Sequence, residues 1–354
     1  MTADSSDSIA GRLLARLPSS PDAYPQKIDL VGLTVLVIRW NRTAYRASSF
    51  LDDRILGPDV EGAWFPLDRV AEAARSAAES CPLHFIFHTG HVGSTLLSRL
   101  LDETGHVLSL REPLPLRTLA EAHDVLRRPD SLLSEAQYGE ISTMLARLWS
   151  RGYPGTRAVV VKATSSAGRV AGPVLAGCHR SRAVYMNLRS EPYLATLLAG
   201  QNSPLDLRGH GPERIRRLQS FVAAAPALSE LSMGELAAAS WLVESWTQRD
   251  AVRRSAGRVL PLDFETLLAS IEDTVRKVLR HFELPEDERY LGAIARSAVL
   301  TRYSKAPEHA YTPALRAEVL RDSRLRNRDE IHKGLKWLER MARSEDAVAQ
   351  VLGG

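Results

Sequence analysis

The sequence has few cysteines, few aromatic residues and no long apolar run. Only two of its 354 residues are cysteines, Cys81 and Cys178, and they do not form a C-x-x-C pair, so no disulfide framework or zinc site is indicated. No apolar stretch reaches the length of a membrane span, and the N-terminus starts with acidic residues instead of a signal-peptide core. We therefore expect a globular, cytoplasmic protein without a membrane span.

An excess of charge of one sign is also missing. Lysine and arginine number 46 against 42 acidic residues, which gives a net charge of +4. This mildly basic balance suits a small anionic ligand and does not indicate nucleic acid. The basic run RDSRLRNR at 321–328 is interpreted as a solvated helix face, because no nucleic-acid-binding motif accompanies it. No metal is predicted either, since no ligands at metal spacing accompany His88, His123, His179 or His309.

The most informative segment is FIFHTGHVGSTLLSRLLDE, residues 85–103. A short apolar run with β propensity comes first, two glycines follow, and leucines then recur at helical spacing. Gly90 and Gly93 can adopt backbone angles that other residues avoid. A helix that begins at Ser94 and Thr95 would present unpaired N–H groups and the positive end of its dipole. This layout predicts a binding site for phosphate or a similar anion.

The same loop is not a Walker A motif. The pattern G-x-x-x-x-G-K-S/T requires a lysine immediately before the hydroxyl residue, and Gly93 stands there. Magnesium-dependent ATP hydrolysis is therefore disfavoured. An ordinary strand–glycine–helix turn without a ligand remains an alternative for this segment.

Four further apolar runs each lead to a polar residue. Continuous apolar strands that alternate with helical segments predict an α/β fold with a central parallel sheet covered by helices on both faces. Ligands of such sheets bind outside the carboxyl ends of the strands, so the polar residues should meet the glycine loop at one edge. The runs are 108–110 before Arg111 and Glu112, 159–161 before Lys162, 184–188 before Arg189, and 259–262 before Asp263.

The chain divides by character near residue 80. Residues 1–80 are predicted to be an N-terminal extension packed on the core, with a strand at 29–40 and a helix at 70–79, and 81–354 to be the main α/β domain. Leucine and alanine spacing predicts helices at about 133–149, 191–200, 233–255 and 266–282. The segment GQNSPLDLRGHGPE at 200–213 is predicted to be a long loop at a binding site. Trp241 and Trp246 are interpreted as core residues and not as a platform for adenine.

Four pieces between about 85 and 310 resemble the sulfotransferase family, and specifically a divergent bacterial member. That family uses 3′-phosphoadenosine 5′-phosphosulfate (PAPS) on a P-loop-like α/β fold. The loop HTGHVGSTLL is similar to the family's 5′-phosphosulfate loop, with His91 where the family has lysine or arginine. Either the anion raises the pKa of His91 or another cation takes its place. The resemblance implies nucleotide contacts from Gly90, His91, Val92, Gly93, Ser94 and Thr95.

The other three pieces concern the rest of the nucleotide and the catalytic edge. VYMNLRSEPYLATLL resembles the 3′-phosphate segment, which implies that Arg189 binds that phosphate with Thr196 or Ser190 beside it. VLPLDFETLLASIEDTVRKVLRHFELP is similar to a strand, acidic turn and long helix with a structural role. VVVKATSS puts Lys162 where many members have a catalytic lysine, and RYSKAPEHAY carries Lys305 in the region that often closes over the nucleotide.

The resemblance implies transfer of a sulfuryl group from PAPS to a hydroxyl or amine of a small-molecule acceptor. Glu112 would act as general base, and Lys162 and His91 would stabilise negative charge. Structural ion pairs are the alternatives for these side chains, between Glu112 and Arg111 or Arg117, and between Lys162 and Glu112 or Asp263. A nucleotide-dependent phosphotransferase and a non-catalytic nucleotide-binding module remain alternative functions, and a homodimer is compatible with all three.

Overall fold

The computed structural model describes residues 8–77 and 81–353. Its N-terminal region contains a small antiparallel sheet and short helices. Its strands are β1 (Ala23–Asp29), β2 (Thr34–Arg39) and β3 (Gly62–Pro66), and its helices are α1 (Ile9–Arg16), α2 (Arg42–Ala47) and α3 (Leu67–Arg75). The strand predicted at 29–40 corresponds to β2, but it begins later than predicted, because residues 30–33 form the turn of a β1–β2 hairpin. The predicted helix at 70–79 corresponds to α3, and Glu79 lies outside the described residues.

The central sheet has five parallel strands in the order β5-β6-β4-β7-β8. They are β4 (Leu83–His88), β5 (Val107–Arg111), β6 (Ala158–Lys162), β7 (Ala183–Asn187) and β8 (Val259–Asp263). Each predicted apolar run lies in one of these strands, and helices cover both faces of the sheet. The predicted α/β fold with a central parallel sheet flanked by helices is therefore confirmed.

Two of the helices between the strands begin at capping signals that are visible in the sequence. In α6 and α10 a serine and a Gln or Glu three residues later form a capping box. The helices of this part are α4 (Ser94–Glu103), α5 (Leu114–Val125), α6 (Glu135–Trp149), α7 (Ala171–Gly177), α8 (Ser190–Ala199), α9 (Ser203–Leu218), α10 (Met233–Arg254), α11 (Phe264–Ala269) and α12 (Ile271–His281). The helix predicted at 266–282 is thus two helices, because Ser270 is not helical, with φ −145° and ψ 71°.

The C-terminal part adds a short hairpin and four helices. The hairpin strands are β9 (Arg302–Tyr303) and β10 (Ala306–Ala310). The helices are α13 (Glu288–Ile294), α14 (Pro313–Arg326), α15 (Arg328–Ser344) and α16 (Asp346–Leu352). Most of the basic run 321–328 lies on an exposed face of α14, and Arg324 pairs there with Glu191 at 2.7 Å. Within residues 8–77 and 81–353, every helix is too short or too polar to span a bilayer.

Most of the segment 200–213 is helical, which corrects its prediction as a loop. Residues 203–213 form the first part of α9, with a proline in its first turn, where a missing N–H costs no helical hydrogen bond. Leu207, Ile215 and Leu218 bury the inner face of this helix in the main apolar cluster. That burial stabilises a helix whose glycine and proline content predicts the opposite.

The N-terminal region and the sheet share apolar packing. One cluster of buried residues contains Leu13 and Val37 of the N-terminal region together with Phe85 and Leu110 of the sheet. A second cluster lies on the other side, between the sheet and α8, α10 and α15. The division of the chain at residue 80 stays a prediction.

Candidate active site

The turn between β4 and α4 is built from left-handed residues. Gly90, His91 and Gly93 have φ angles of +104°, +54° and +70°. A Cβ on Gly93 would fall within the ring of Phe264, so a glycine is needed there for space as well as for conformation. The left-handed angle of His91 costs conformational free energy, and strain of this kind persists only where the surrounding structure fixes the residue. The strained residue thus lies in the loop that was predicted to bind an anion.

The first turn of α4 has hydrogen-bond donors available for a ligand. The helix starts after Gly93, and no side chain caps its first N–H groups. Ser94 and Thr95 are buried, and Thr95 Oγ1 has no hydrogen-bond partner among the described residues. Together with the helix dipole, these groups favour an oxyanion at this point. The loop therefore fits a phosphate or phosphosulfate group.

His88 fixes the loop from below. This buried side chain ends β4, and its Nε2 lies 2.9 Å from Ala163 O, while Gly90 N–H donates to its Nδ1 at 3.1 Å. These contacts require a proton on Nε2 and a free lone pair on Nδ1, which is the neutral imidazole. Burial first, and then the charges of Lys162 and Lys305, lower the pKa of His88 well below its ordinary value. His88 is thus a buried support of the loop, a role that the sequence analysis did not assign.

Glu112 and Lys162 meet at the carboxyl ends of β5 and β6. Their side chains form an ion pair, and Glu112 N–H donates to Lys162 O at 2.6 Å. Lys162 is completely buried, and burial lowers its pKa to about 8; Glu112 opposes this shift, whereas the positive charge of Lys305 adds to it. Glu112 has a φ of +53°, which makes it a second left-handed residue with a side chain at this edge.

The structure distinguishes between the alternative ion-pair partners of Glu112 and Lys162. Lys162 pairs with Glu112, as one alternative expected, whereas Asp263 accepts from Thr266 N–H at 3.0 Å at the start of α11. The other partners suggested for Glu112 are engaged elsewhere: Arg111 pairs with Asp102, and Arg117 pairs with Glu121. Among the partners considered, Glu112 and Lys162 have only each other.

Lys305 gives the loop a second positive charge. It lies between β9 and β10, and its charge lowers the pKa of both His91 and Lys162. His91 reaches the surface, but the surrounding protein removes much of the water from its ring, and this desolvation, followed by the charge of Lys305, lowers the pKa of His91 to about 4. With these neighbours His91 is neutral at pH 7. Lys162 and Lys305 therefore supply the positive charge near the loop.

Arg189 lies in a neighbouring cavity and not in the loop itself. It is an exposed residue between β7 and α8, and it lines a cavity of about 780 Å³ together with Ser190 and residues of β8, α10 and α16. Residues 90–95 are not part of this lining, but Thr89 Oγ1 donates to Asn187 Oδ1 in the cavity wall at 3.1 Å. The Thr196 hydroxyl donates to Pro192 O at 2.7 Å within α8. Ser190 lines the cavity with Arg189, whereas the Thr196 hydroxyl is engaged within α8. Of the two candidates, Ser190 therefore fits the predicted 3′-phosphate contact better.

The two tryptophans of α10 also border this cavity, yet both are engaged in packing. Trp241 is buried and donates to Leu188 O at 2.7 Å, and Trp246 stacks on Phe221 with ring centroids 4.6 Å apart. These contacts agree with the interpretation as core residues.

The sequence analysis missed the charges that α9 brings to the loop. Asp206 raises the pKa of His91 and Arg214 lowers it, so the charges of both side chains act on this residue. Asp206 lies in the segment 200–213, which was predicted to be a loop, and Arg214 follows that segment directly. The spacing of Leu207, Ile215 and Leu218 is the signal that could have revealed the helix.

Comparisons with known proteins find similarity to solved structures at low sequence identity. No protein-family model matches the sequence, and no curated protein matches it. Solved structures that it is similar to are sulfotransferases. One from Alicyclobacillus acidocaldarius is 15% identical, with 72% of this chain and 96% of that chain covered and a TM-score of 0.38. One from Mycobacterium avium is 12% identical, with 72% and 78% covered and a TM-score of 0.40.

A third similar structure is the sulfotransferase domain of a Synechococcus olefin synthase, at 16% identity, 77% and 93% coverage and a TM-score of 0.37. TM-scores below 0.5 at such identities establish neither a family nor an activity. The functional argument therefore rests on the geometry of the loop and of the residues around it.

Proposed function

We propose that the protein is a sulfotransferase that moves a sulfuryl group from PAPS to a hydroxyl or amine of a small-molecule acceptor. One observation carries the proposal: the loop 89–95, with left-handed residues at 90, 91 and 93, lies within reach of the charges of Lys162 and Lys305, which act on His91, and Glu112 pairs with Lys162. In this proposal, donors for an anion, charge to stabilise a leaving group and a base would act together at one edge of the sheet.

In PAPS the sulfuryl group is bound to an oxygen of the 5′-phosphate. This phosphate is a good leaving group. The loop N–H groups, Ser94 and Thr95 would hold the 5′-phosphosulfate, and Arg189 with Ser190 would hold the 3′-phosphate. Transfer of this kind asks the protein mainly for alignment and charge stabilisation, by analogy with phosphoryl transfer.

Each catalytic side chain has one task in this proposal. Glu112 accepts the proton of the acceptor hydroxyl or amine while the new bond to sulfur forms and the bond from sulfur to the bridging oxygen breaks. Lys162 and Lys305 stabilise the negative charge that develops on the bridging oxygen. His91, which is neutral at pH 7, contributes a hydrogen bond instead of a charge.

A phosphotransferase is the second candidate, and one observation disfavours it. The Walker lysine would stand at position 93, where even a Cβ would collide with the ring of Phe264. The loop therefore has no room for the lysine on which ATP-binding loops of that type depend.

Nucleotide binding tests the proposal directly. Isothermal titration calorimetry should compare 3′-phosphoadenosine 5′-phosphate (PAP) with 5′-AMP, ADP and magnesium–ATP. We expect PAP to bind at least about tenfold more tightly than the nucleotides without a 3′-phosphate, because Arg189 adds a charge-assisted contact. Tighter binding of magnesium–ATP would favour the phosphotransferase, and nucleotide binding without any turnover would favour the non-catalytic nucleotide-binding module.

Turnover is the second part of the test. PAPS should be consumed in the presence of a panel of phenols, alcohols and amines, and the product should be PAP plus a sulfated acceptor. Glu112→Gln should lower this turnover by about two to four orders of magnitude, as expected for loss of a general base.

A further inference from the structure

Glu112 has a backbone conformation that a glutamate does not adopt without support. Its φ of +53° lies in the left-handed region, where the Cβ is crowded. It follows β5, an edge strand of the central sheet whose sheet neighbour is β6. The Glu112 N–H donates to Lys162 O at the end of β6, which fixes one side of the residue. The other side requires contacts from outside the sheet.

Residues 48–51 of the N-terminal region, which we call the clamp, make those contacts. Leu51 N–H donates to Arg111 O at 2.7 Å, and Leu51 O accepts from Leu114 N–H at 3.3 Å. One residue of the clamp thus bonds the chain immediately before Glu112 and again two residues after it. The backbone around Glu112 is therefore held from both sides.

Buried side chains anchor the clamp in turn. The Arg111 guanidinium donates to Ser48 O at 2.8 Å, and Arg99 donates to Ser49 Oγ at 2.8 Å. The Leu51 side chain is 1% exposed and belongs to the apolar cluster that the N-terminal region shares with the sheet. The clamp cannot shift without breaking these hydrogen bonds and exposing the Leu51 side chain.

We propose that the clamp is a positioning element of the active site, which holds Glu112 in the left-handed conformation that brings its carboxylate to Lys162. The inference deepens the proposed function, because it rests on Glu112 acting there as the base. It gives the N-terminal region a part in catalysis through Glu112, without contact between the clamp and the reactants. Loosening the clamp should displace the carboxylate while the sheet stays folded.

The position of the carboxylate can be measured through its partner, without any substrate. The chain has six lysines, so NMR of protein labelled with 13C at the lysine ε carbon can resolve Lys162, assigned with Lys162→Arg. Lys162 has a pKa of about 8; Glu112 raises it, while Lys305 and Arg111 lower it. We expect Glu112→Gln to lower the pKa of Lys162 by about one unit, and Leu51→Ala to lower it in the same direction.

Leu13→Ala is the matched control. Leu13 in α1 is 5% exposed, belongs to the same apolar cluster and lies outside the clamp, so both variants remove the same side-chain atoms from one core. Leu13→Ala should lower the Tm comparably and leave the titration of Lys162 unchanged.

A milder pair replaces these variants if Leu51→Ala fails to fold. The Tyr24 hydroxyl donates to Leu51 O at 3.4 Å, whereas the Tyr45 hydroxyl donates to Pro21 O at 2.8 Å, away from the clamp residue Leu51. Both tyrosines are buried. Tyr24→Phe should lower the pKa of Lys162 and Tyr45→Phe should not.

Turnover separates positioning from a general loss of structure. Leu51→Ala should lower kcat about tenfold, because a small displacement of a catalytic group is enough for that. The double variant Glu112→Gln/Leu51→Ala should have the same kcat as Glu112→Gln alone, because the base through which Leu51 acts is already gone.

The outcomes tell the two proposals apart. If Glu112→Gln lowers the pKa of Lys162 and Leu51→Ala leaves it at the wild-type value, the clamp inference is overturned and the proposed function stands. If both variants lower it and Glu112→Gln keeps full turnover, the clamp positions the carboxylate as inferred, and the assignment of Glu112 as base is overturned.

Discussion

The ammonium group of Lys162 pairs with the carboxylate of Glu112 across the carboxyl ends of two neighbouring parallel strands. Lys162 is completely buried, so the pair sets the charge state of a lysine that water cannot stabilise. Burial lowers the pKa of Lys162 more than the carboxylate raises it, so the pKa is about 8. The proposed reaction needs this lysine protonated, which makes its activity dependent on pH.

The first prediction concerns this pH dependence. Lys162 carries its charge below pH 8 and loses it above, so kcat/KM for PAPS should be level below about pH 8 and fall about tenfold per pH unit above it. Lys305→Met removes a neighbouring positive charge, which should raise the pKa of Lys162 and move the fall to higher pH. A fall that stays at the same pH in Lys305→Met would contradict the assignment to Lys162.

The second prediction concerns His91. Its pKa of about 4 means that it stays neutral from pH 5 upwards, so no part of the pH profile between 5 and 7.5 should belong to it. His91→Asn keeps a residue type that tolerates the left-handed angle and should change the affinity for PAP by less than about threefold.

His91→Lys is the informative counterpart of that variant. It adds the cation that the sequence of the loop lacks, and calorimetry should show tighter binding of PAP. A wild-type affinity that rises below pH 6.5 and stays flat in His91→Asn would mean that the bound anion protonates His91, contrary to this prediction.

The sequence predicted the edge of the sheet well, and the reason is physical. A parallel strand buried on both faces must be apolar along its length, so a run such as 159–161 stands out, and so does the polar residue that ends it. The glycine loop is equally visible, because left-handed angles restrict residue type. Lys162, Glu112 and the loop could therefore be placed together without a structure.

Other features leave no local signal in the sequence. The contact between Leu51 N–H and Arg111 O joins backbone groups sixty residues apart, and any residue but proline could make it. Helix α9 depends on burial of Leu207 and Ile215, which outweighs its glycines and prolines. The lowered pKa of His91 depends on the fold around it, whereas the sequence shows only that a histidine occupies a position expected to be basic.

The third prediction concerns Gly93 and its match, Gly105. Both have left-handed angles, +70° and +74°, but a Cβ at Gly93 would collide with the Phe264 ring, and one at Gly105 would meet no atom within 4 Å. Gly105→Ala should therefore cost only the conformational strain, about 1 to 2 kcal/mol. Gly93→Ala should lower the free energy of unfolding further and weaken PAP binding at least about tenfold.

Removing the ring tests the cause of that difference. In Gly93→Ala/Phe264→Ala the collision is gone. Calorimetry should therefore show PAP binding that is tighter than in Gly93→Ala alone. An equal loss of PAP affinity in Gly105→Ala and Gly93→Ala would show that the Phe264 contact has no bearing on the loop.

The fourth prediction concerns Arg189, which follows β7 and lines the cavity beside the loop. If its guanidinium binds the 3′-phosphate of the donor, Arg189→Ala should weaken PAP binding by about tenfold to a hundredfold, the usual range for one charge-assisted contact. Adenosine 5′-phosphosulfate, which lacks the 3′-phosphate, should bind the variant and the wild type equally well, because the loop that holds its 5′ end is unchanged.

Arg249→Ala is the control for this variant, since Arg249 lines the same cavity from α10 and carries the same charge. It should leave the affinity for both nucleotides within about twofold, because a cation that does not touch the phosphate is screened by solvent. Calorimetry of four pairs, two variants with two nucleotides, therefore isolates one contact. A loss of PAP affinity in Arg249→Ala but not in Arg189→Ala would move the 3′-phosphate site from the end of β7 to α10.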